Sequence, residues 1–527
     1  MWPLSVHLRF VRAGLASALV LFLASASVAL AQSSGDSESS TSSKSSGNTP
    51  GSGLGSADPG TKSPREKTVL DKVFGFDQLR SSFSIGLTET FTDNVDLDPP
   101  GEEDAAILSD VNVGITLRRR TARITSDWDA LFTLRYQTAG DDEGFAILPT
   151  ISGSSNIEAI DQLLFVDFSS SVSSELLDRR DSDSESNRDI VQTTRLSPYL
   201  VHRFGSFASS ELRYSLSHVS SDDSSLTHTV SYDLNSGPDF SRLKWSATAS
   251  ASETDSSDEG DISRRNVFLN GEYAIVRGYS LLGGIGYENF EEDGPPTQTT
   301  NFEGITWRAG FRWRPHRRLD WEITYGHIDD NDSVATNLTY NIGARTKLTL
   351  SYNESLTTGD ERLIQDLSLI GADPNTGELI DLRTGLPFDP NNVPTSLEDE
   401  VTRNKTFRVA LTATRGRNIF NLSTVIFQQK EVDTSVPDDE EGYSFSGSWE
   451  RRISRKTNLL LGGSYRKTEF TVDGREDKNY SVTTRFDYRL FRELTIFASY
   501  DYRQNDSTDT SEEYRENRVF VGFRRSF

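Results

Sequence analysis

The sequence predicts an all-β protein: a transmembrane antiparallel β-barrel of about 22 strands, preceded by a disordered periplasmic segment. Three observations predict it. Apolar and polar residues alternate with period two in segment after segment from Phe83 onward. The connections between those segments alternate between short basic turns and long acidic loops. Mean hydropathy is −0.52, far too polar for a helical bundle whose every span needs about 20 apolar residues.

The N-terminus comes first. Residues 1–31 have the form of a secretory signal peptide: Arg9 and Arg12 precede an apolar run from Ala13 to Val28, and Ala29-Leu30-Ala31 is a small-residue cleavage site. The mature chain is expected to start at Gln32 and to belong to a two-membrane bacterium. Residues 32–80 are rich in Ser and Gly and cannot bury enough apolar surface to offset their chain entropy, so they read as a periplasmic tether. Residues 81–527 are expected to form the barrel.

Within that region the alternation is explicit. Trp307, Ala309, Phe311 and Trp313 alternate with Thr306, Arg308, Gly310, Arg312 and Arg314. Phe407, Val409 and Leu411 alternate with Thr406, Arg408, Ala410 and Thr412, and Phe486, Tyr488 and Leu490 with Arg485, Asp487 and Arg489. Such a pattern marks a strand with one apolar and one wet face. The expected strands are 82–94, 107–119, 122–138, 145–158, 162–176, 191–204, 207–220, 226–236, 241–254, 263–276, 279–292, 301–315, 319–329, 334–345, 347–358, 402–415, 418–432, 442–453, 457–472, 479–490, 493–506 and 516–527. The fourth has the weakest pattern, but without it the loops lose their phase.

The phase decides the class. Arg118-Arg119-Arg120, Arg203-Phe204-Gly205, Arg277-Gly278, Pro315-His316-Arg317-Arg318, Arg415-Gly416-Arg417 and the Arg451–Lys456 stretch are short and basic. Segments 95–106, 177–190, 255–262, 291–300, 433–441 and above all 359–401 are long and mostly acidic. Short turns on one rim and long loops on the other characterise an outer-membrane barrel. In hydrocarbon every backbone N–H and C=O must be paired internally, and strands achieve that only by closing. Trp128, Tyr136, Trp245, Trp321, Tyr325, Trp449, Tyr500 and Tyr502 fall near strand ends, where interfacial aromatic girdles form. At the C-terminus Val519, Val521, Phe523 and Phe527 share a face; Phe523 and Phe527 are the expected assembly signal for the barrel-insertion machinery. Arg525 interrupts that face and is expected to snorkel to water.

Composition removes other classes. Asp and Glu number 79 against 55 Lys and Arg, a formal charge of −24, which argues against a nucleic-acid partner. The absence of Cys excludes disulfides, thiolate metal sites, Cys nucleophiles and a lipidated cysteine. A plugged 22-strand transporter would need a folded domain ahead of the barrel, for which residues 32–80 offer only low-complexity chain. For an enzyme the best constellation is His327-Ile328-Asp329-Asp330, since an Asp/His pair can activate water. His218 with Asp222 and Asp223 is similar. Polar strand ends running into acidic loops account for both, and no catalytic residues, metal or cofactor are expected. Asp329, Asp330 and Asp332, or the 177–190 loop, supply oxygen ligands of the kind Ca²⁺ takes, without EF-hand spacing. A conduit needs only a polar inner face. By parity that face includes Glu211, Arg213, Arg308, Arg312, Glu322, Arg408, Arg485, Asp487 and Arg503. Segment 359–401, with Pro374, Gly377, Gly385, Pro387, Pro390 and Pro394, is the candidate constriction or lid.

Four segments carry a resemblance: Ser84 to Leu97 (SIGLTETFTDNVDL), Leu108 to Leu117 (LSDVNVGITL), Asp161 to Val172 (DQLLFVDFSSSV) and Arg195 to Tyr214 (RLSPYLVHRFGSFASSELRY). They resemble the outer-membrane β-barrel proteins associated with the PEP-CTERM exosortase system of Gram-negative bacteria, whose genes tend to lie among exopolysaccharide-synthesis genes. The match covers residues 83–215, and Thr92-Asp93-Asn94-Val95 is its most specific piece. The resemblance implies a porin-like role in polysaccharide export or surface assembly, and it supplies no catalytic residues. The expectation is therefore a passive outer-membrane conduit for exopolysaccharide. Its partners would be outer-membrane lipid, the insertion machinery, periplasmic export components and the polysaccharide. The competing reading is a structural or adhesive barrel whose acidic loops bind surface polymer or divalent cations without through-flow.

Overall fold

A computed structural model describes residues 79–527 apart from 142, 177–187, 222–223, 258–260, 294–300, 359–369, 373–378, 382–400 and 433–438. The signal segment, nearly all of the tether, Asp222, Asp223 and much of the long acidic loops therefore lie outside the described residues.

The strands are β1 (Leu79–Thr92), β2 (Ala106–Arg120), β3 (Ile124–Gln137), β4 (Gly144–Ile160), β5 (Leu164–Leu176), β6 (Arg188–Phe204), β7 (Ala208–Ser220) and β8 (Ser224–Ser236). Next come β9 (Leu243–Ser256), β10 (Ile262–Val276), β11 (Tyr279–Glu292), β12 (Asn301–Trp313), β13 (Leu319–Ile328), β14 (Asn331–Gly343) and β15 (Thr346–Thr357). A small pair, β16 (Ile370–Ala372) and β17 (Leu379–Asp381), sits apart. The series ends with β18 (Thr402–Arg415), β19 (Asn418–Glu431), β20 (Glu440–Arg452), β21 (Thr457–Phe470), β22 (Glu476–Arg489), β23 (Leu494–Ser507) and β24 (Tyr514–Ser526). Apart from β16 and β17, all belong to one 22-stranded antiparallel sheet, and each expected strand overlaps one of them. Among the described residues the only helical turn is Thr510–Glu512.

The sheet closes where β1 pairs with β24, from Ser84↔Ser526 to Thr92↔Arg518. Twenty-two strands about 4.8 Å apart and tilted about 40° make a wall roughly 44 Å across, backbone to backbone. One rim carries turns of two residues (277–278) to six (237–242), so it is the periplasmic rim. Gly278 there has φ 88°, a conformation that disfavours any side chain, and its carbonyl accepts the Arg314 N–H at 2.7 Å. The other rim is not uniformly long: β13 and β14 are joined only by Asp329 and Asp330, both at φ 52°.

The two faces separate as period two requires. Val267, Leu269, Ile285, Ile305 and Leu422 are all exposed on the outside, where lipid would cover them. Tyr279 and Tyr287 on β11 lie towards its two ends; eight residue steps of about 3.4 Å, on a strand tilted about 40°, separate them by roughly 21 Å in height, within an apolar band of about 25 Å. Tyr443, Tyr465 and Tyr480 form a row towards the outer rim, with ring centroids 6.0 and 5.0 Å apart. Trp313 packs against Tyr279 and Trp321 towards the periplasmic rim, at 6.2 Å each. Arg525 does snorkel: its guanidinium lies 4.8 Å from the Phe527 ring and its Nη2 reaches Glu493 at 3.9 Å. Pro198 lacks an N–H, and the β6–β7 ladder lapses between Leu196↔Leu216 and Tyr199↔Arg213. Ser197 Oγ bridges the gap by donating to Ser215 Oγ at 2.8 Å.

The seam is fastened at both ends. At the periplasmic end the Phe527 N–H donates to the Phe83 carbonyl at 2.7 Å and the rings lie 5.9 Å apart. At the outer end the fastening is Thr92-Asp93-Asn94. Thr92 Oγ1 donates to Glu516 at 2.8 Å, and Asp93 accepts from both the backbone and side-chain N–H groups of Asn517 at 2.7 Å. The fully buried Asn94 side chain donates to the carbonyls of Asp98 (2.8 Å) and Arg515 (3.2 Å) and accepts the Asp98 N–H at 2.9 Å.

Removing Asn94 would orphan these buried groups at a cost on the order of 1–3 kcal/mol. Asn94→Ala is therefore expected to lower the temperature at which the refolded barrel loses its heat-modifiable electrophoretic migration. A variant that unfolds together with wild type would deny the seam this fastening.

Candidate functional site

The functional surface of such a barrel is its lumen and two mouths. Strand register puts Glu211, Arg213, Arg308, Arg312, Glu322, Arg408, Arg485, Asp487 and Arg503 on the face opposite the exposed apolar residues. They gather into separate clusters.

The first spans β4 to β7. Arg213 donates to Asp167 at 2.7 Å and to Glu211 at 2.8 Å, and its guanidinium lies 3.9 Å over the Tyr199 ring. Asn156 donates to Asp167 (2.6 Å) and to the Tyr199 hydroxyl (3.0 Å). The second spans β10 to β13: Arg312 joins Glu272 at 2.8 Å and also Glu322, while Arg308 donates to Asn270 at 2.9 Å. The third spans β20 to β24. Arg466 pairs with the buried Glu440 at 2.9 Å, Arg485 with Asp487 at 3.1 Å, and Arg503 lies 3.9 Å from Glu516. Arg408 stands opposite Ser351 and Val425. Asn156, Asp167, Tyr199, Glu272 and Glu440 were not among the residues singled out from the sequence. Their signal was the same parity; the register that pairs them was not readable. Paired charges of this kind brace the wall, because either partner alone would be left as an uncompensated charge.

At the outer mouth the wall departs from a plain cylinder. The β14–β15 ladder stops at Thr336↔Tyr352 and the β12–β13 ladder at Trp307↔His327, so neighbouring strands rise above the short β13–β14 hairpin. By register Leu356 shares the outward face with Leu350 and Leu348. Yet it is only 2% exposed, packed with Phe290 and Val401 and against Ile262 and Phe302. Phe290, Phe302 and Ile262 belong to the lumen face of β10–β12. The outer ends of β15 and β18 must therefore turn inward, bringing their outer face against the lumen face of β10–β12. Those ends are the stems of 359–401.

Asp329 pins this arrangement. It accepts from Arg264 Nη2 at 2.7 Å and from the Leu356 N–H at 3.3 Å, and its carbonyl accepts from Arg403 at 2.9 Å. Arg264 on β10 and Arg403 on β18 each lie three strand spacings from β13, about 14 Å along a flat wall, so the contacts require the infolding. Both turn aspartates hold a left-handed backbone, which Asp tolerates better than most residues.

His327 Nδ1 lies 3.0 Å from Asp332, its cross-strand neighbour, and its Nε2 lies 3.8 Å from Asp330, while Asp329 serves Arg264. Asp332 also accepts from the Tyr325 hydroxyl at 3.1 Å, and Asp330 is exposed. Among the described residues no group of three or more acidic or His side chains could hold a metal ion.

The described outer loop, 93–105, is acidic. Burial first, then the charges of Asp141, Asp104, Glu102 and Glu103, push the Asp98 carboxyl above its ordinary range.

The comparisons now have a geometry to meet. The family model described as "Putative beta-barrel porin 2" matches residues 424–527, from within β19 to the end of β24. Over those residues the chain is similar to that porin family, and its closed 22-stranded barrel is the architecture of an outer-membrane protein. The matching model describes a porin, not an enzyme family. Among solved structures, the FrpB iron transporter from Neisseria meningitidis (F5-1 variant) is 11% identical, with 86% of this chain and 83% of that chain covered and a TM-score of 0.47. The siderophore receptor PirA from Acinetobacter baumannii is 8% identical over 85% and 80%, with a TM-score of 0.49. The ferric-catecholate import receptor Fiu from K12 E. coli, in its closed form, is 8% identical over 85% and 82%, with a TM-score of 0.48. No curated protein matches the chain.

Two outcomes follow for this porin-like barrel. An acid whose pKa is raised by folding penalises the folded state above that pKa, and the penalty vanishes below the ordinary value. Asp98→Asn should thus stabilise the barrel at pH 7, and the gain should disappear below about pH 4; equal gains at both pH values would remove this role. Arg264→Gln should loosen the infolded stems. Hydrogen exchange at the Leu356 amide is expected to accelerate by roughly tenfold while amides of the β10–β11 ladder keep their protection.

Proposed function

We propose that this porin-like barrel is a passive conduit for exopolysaccharide, working with a periplasmic export apparatus and linked to the PEP-CTERM sorting system. The observation that carries the reading is the lumen face: charges paired within and between strands and interspersed with Ser, Thr and Gly, on a wall wide enough for a hydrated polymer. The four segments quoted above support the exopolysaccharide link. Thr92-Asp93-Asn94, their most specific piece, fastens the seam, so the likeness there also has a structural cause. Phe523 and Phe527, on the closing strand, would be read by the insertion machinery, and the basic periplasmic rim would meet the export components.

A second reading is favoured by one observation, the infolded stems of 359–401 at the outer mouth. If they occlude the lumen at rest, the barrel is structural or adhesive, with its acidic loops turned to surface polymer.

Conductance of the refolded mature protein in a planar bilayer separates the two. The conduit should give steady steps on the nanosiemens scale, roughly that of a wide barrel, interrupted when the host's polysaccharide is added. Insertion without current, unrelieved by deleting 359–401, would leave only the structural reading.

A further inference from the structure

The periplasmic mouth holds a feature that the conduit reading leaves unused. Between the turns of β18–β19, β20–β21 and β22–β23 lies a cleft of about 570 Å³, within the range of small-ligand sites. Its cations are Arg417, Arg452, Arg455, Lys456 and Arg489. Register places Arg452 and Arg489 on the lumen face, together with Glu450, Asn458 and Asp487 of the same cleft. The cleft therefore opens on the inside of the mouth rather than towards lipid.

Charge does not balance there. Five cations face two carboxylates, Glu450 and Asp487. Asp487 is engaged by the buried Arg485 at 3.1 Å, and Glu450 lies 3.9 Å from Arg452. Two of the cations are held in place by backbone: Arg417 donates to the Ile453 carbonyl at 3.0 Å and Lys456 Nζ to that of Leu490 at 3.3 Å. Ser454 Oγ accepts the Lys456 N–H at 3.0 Å and donates to Thr457 Oγ1 at 2.9 Å, which stiffens the turn between them. A concave surface of one sign, next to a low-dielectric wall, focuses its field and concentrates counter-charge. Like-charged side chains held together without enough carboxylates signify a missing anion.

We propose that this cleft is an anion-binding site at the inner entrance of the lumen, and that its ligand is an acidic polysaccharide, engaged through carboxylate, sulfate or phosphate groups along the chain. The proposal rests on the conduit reading for its choice of ligand: the cleft faces the lumen, and what enters there must pass the paired charges beyond it. The site holds the leading anionic groups of a polymer arriving from the periplasm, and the wall above it, with its charges already paired, offers no comparable trap.

The test uses the mature, refolded protein in neutral phosphatidylcholine vesicles, with polygalacturonate as the acidic probe and dextran of equal size as the neutral one. Titration calorimetry should register polygalacturonate binding that weakens steeply with salt, and no dextran binding. Combining Arg452→Gln, Arg455→Gln and Lys456→Gln should raise the Kd at least tenfold. Arg317→Gln with Arg318→Gln, on another periplasmic turn, should change it less than twofold. If the triple variant does not refold, the exposed Arg455→Gln alone should still give a measurable rise. Equal affinity in wild type and triple variant, or equal binding of dextran, would overturn the site. So would full competition by short-chain phosphatidylglycerol with no salt-sensitive polymer binding of its own, which would mark a lipid headgroup as the occupant. Because calorimetry needs no current, the two readings fail separately. A protein that binds polygalacturonate but never conducts loses the conduit and keeps the site; one that conducts but ignores polymer charge keeps the conduit and loses the site.

Discussion

Everything in this protein depends on hydrogen-bonding the backbone without water. A strand in hydrocarbon cannot leave an edge open, so the first and last strands must meet across the whole sequence. β1 and β24 do so over nine residue pairs, fewer than the fourteen between β1 and β2. The shorter ladder is supplemented at both ends by side chains. Phe83 and Phe527 meet at the inner rim, Arg524 reaches Ser84 Oγ at 2.8 Å just above, and Thr92, Asp93 and Asn94 grip Arg515, Glu516 and Asn517 at the outer rim. The fastening sits where lipid gives way to water, so its polar groups need not be desolvated in hydrocarbon.

Closure then imposes the two-face rule that makes the lumen. An outward apolar residue obliges its neighbours to point inward, and the inward positions of this chain hold arginines, carboxylates, Ser, Thr and Gly. Charges left single there would repel or attract passing solutes strongly. Many are instead joined to one another, Arg213 to Asp167 and Arg312 to Glu272 across an intervening strand, and Arg466 to Glu440 on the adjacent one. Pairing spends each arginine on the wall. The interior becomes polar without a large net field, which suits a wet passage and also stiffens the wall between distant rims.

Parity is a local property, and it was legible. The alternation at Trp307–Trp313 and Phe407–Leu411 needed no partner to be read, and the loop phase rescued β4, whose Gly- and Ser-rich second half carries almost no alternation. Register is not local. Asp167 and Arg213 are 46 residues apart, and Arg264 and Asp329 are 65 apart; nothing in a single sequence says which strand heights coincide. His327 and Asp329 are two residues apart, but a two-residue turn sends the chain straight back and sets Asp332 directly across from His327. Leu356 shows a third limit. Its parity is that of a lipid-facing residue, and it is buried inside because its strand leaves the cylinder before reaching it.

That departure and the basic inner mouth give the barrel an axis. At the inner rim short turns hold cations at fixed places, braced by backbone carbonyls. At the outer rim loop 93–105 is crowded with carboxylates, which together with burial hold Asp98 above its ordinary pKa, and elsewhere on that rim the infolded stems pack on β10–β12. A cylinder with paired charges throughout would treat both directions alike. Here, among the described residues, an excess of cations lines the inner cleft and an excess of carboxylates lies in the outer loop 93–105. On the conduit reading, an anionic chain would meet an attractive entrance at the basic rim and a repulsive exit at the acidic one. Fixed charges of this kind change how fast such a chain would enter and leave, while the direction of its net movement would follow its own gradient or the apparatus that feeds it.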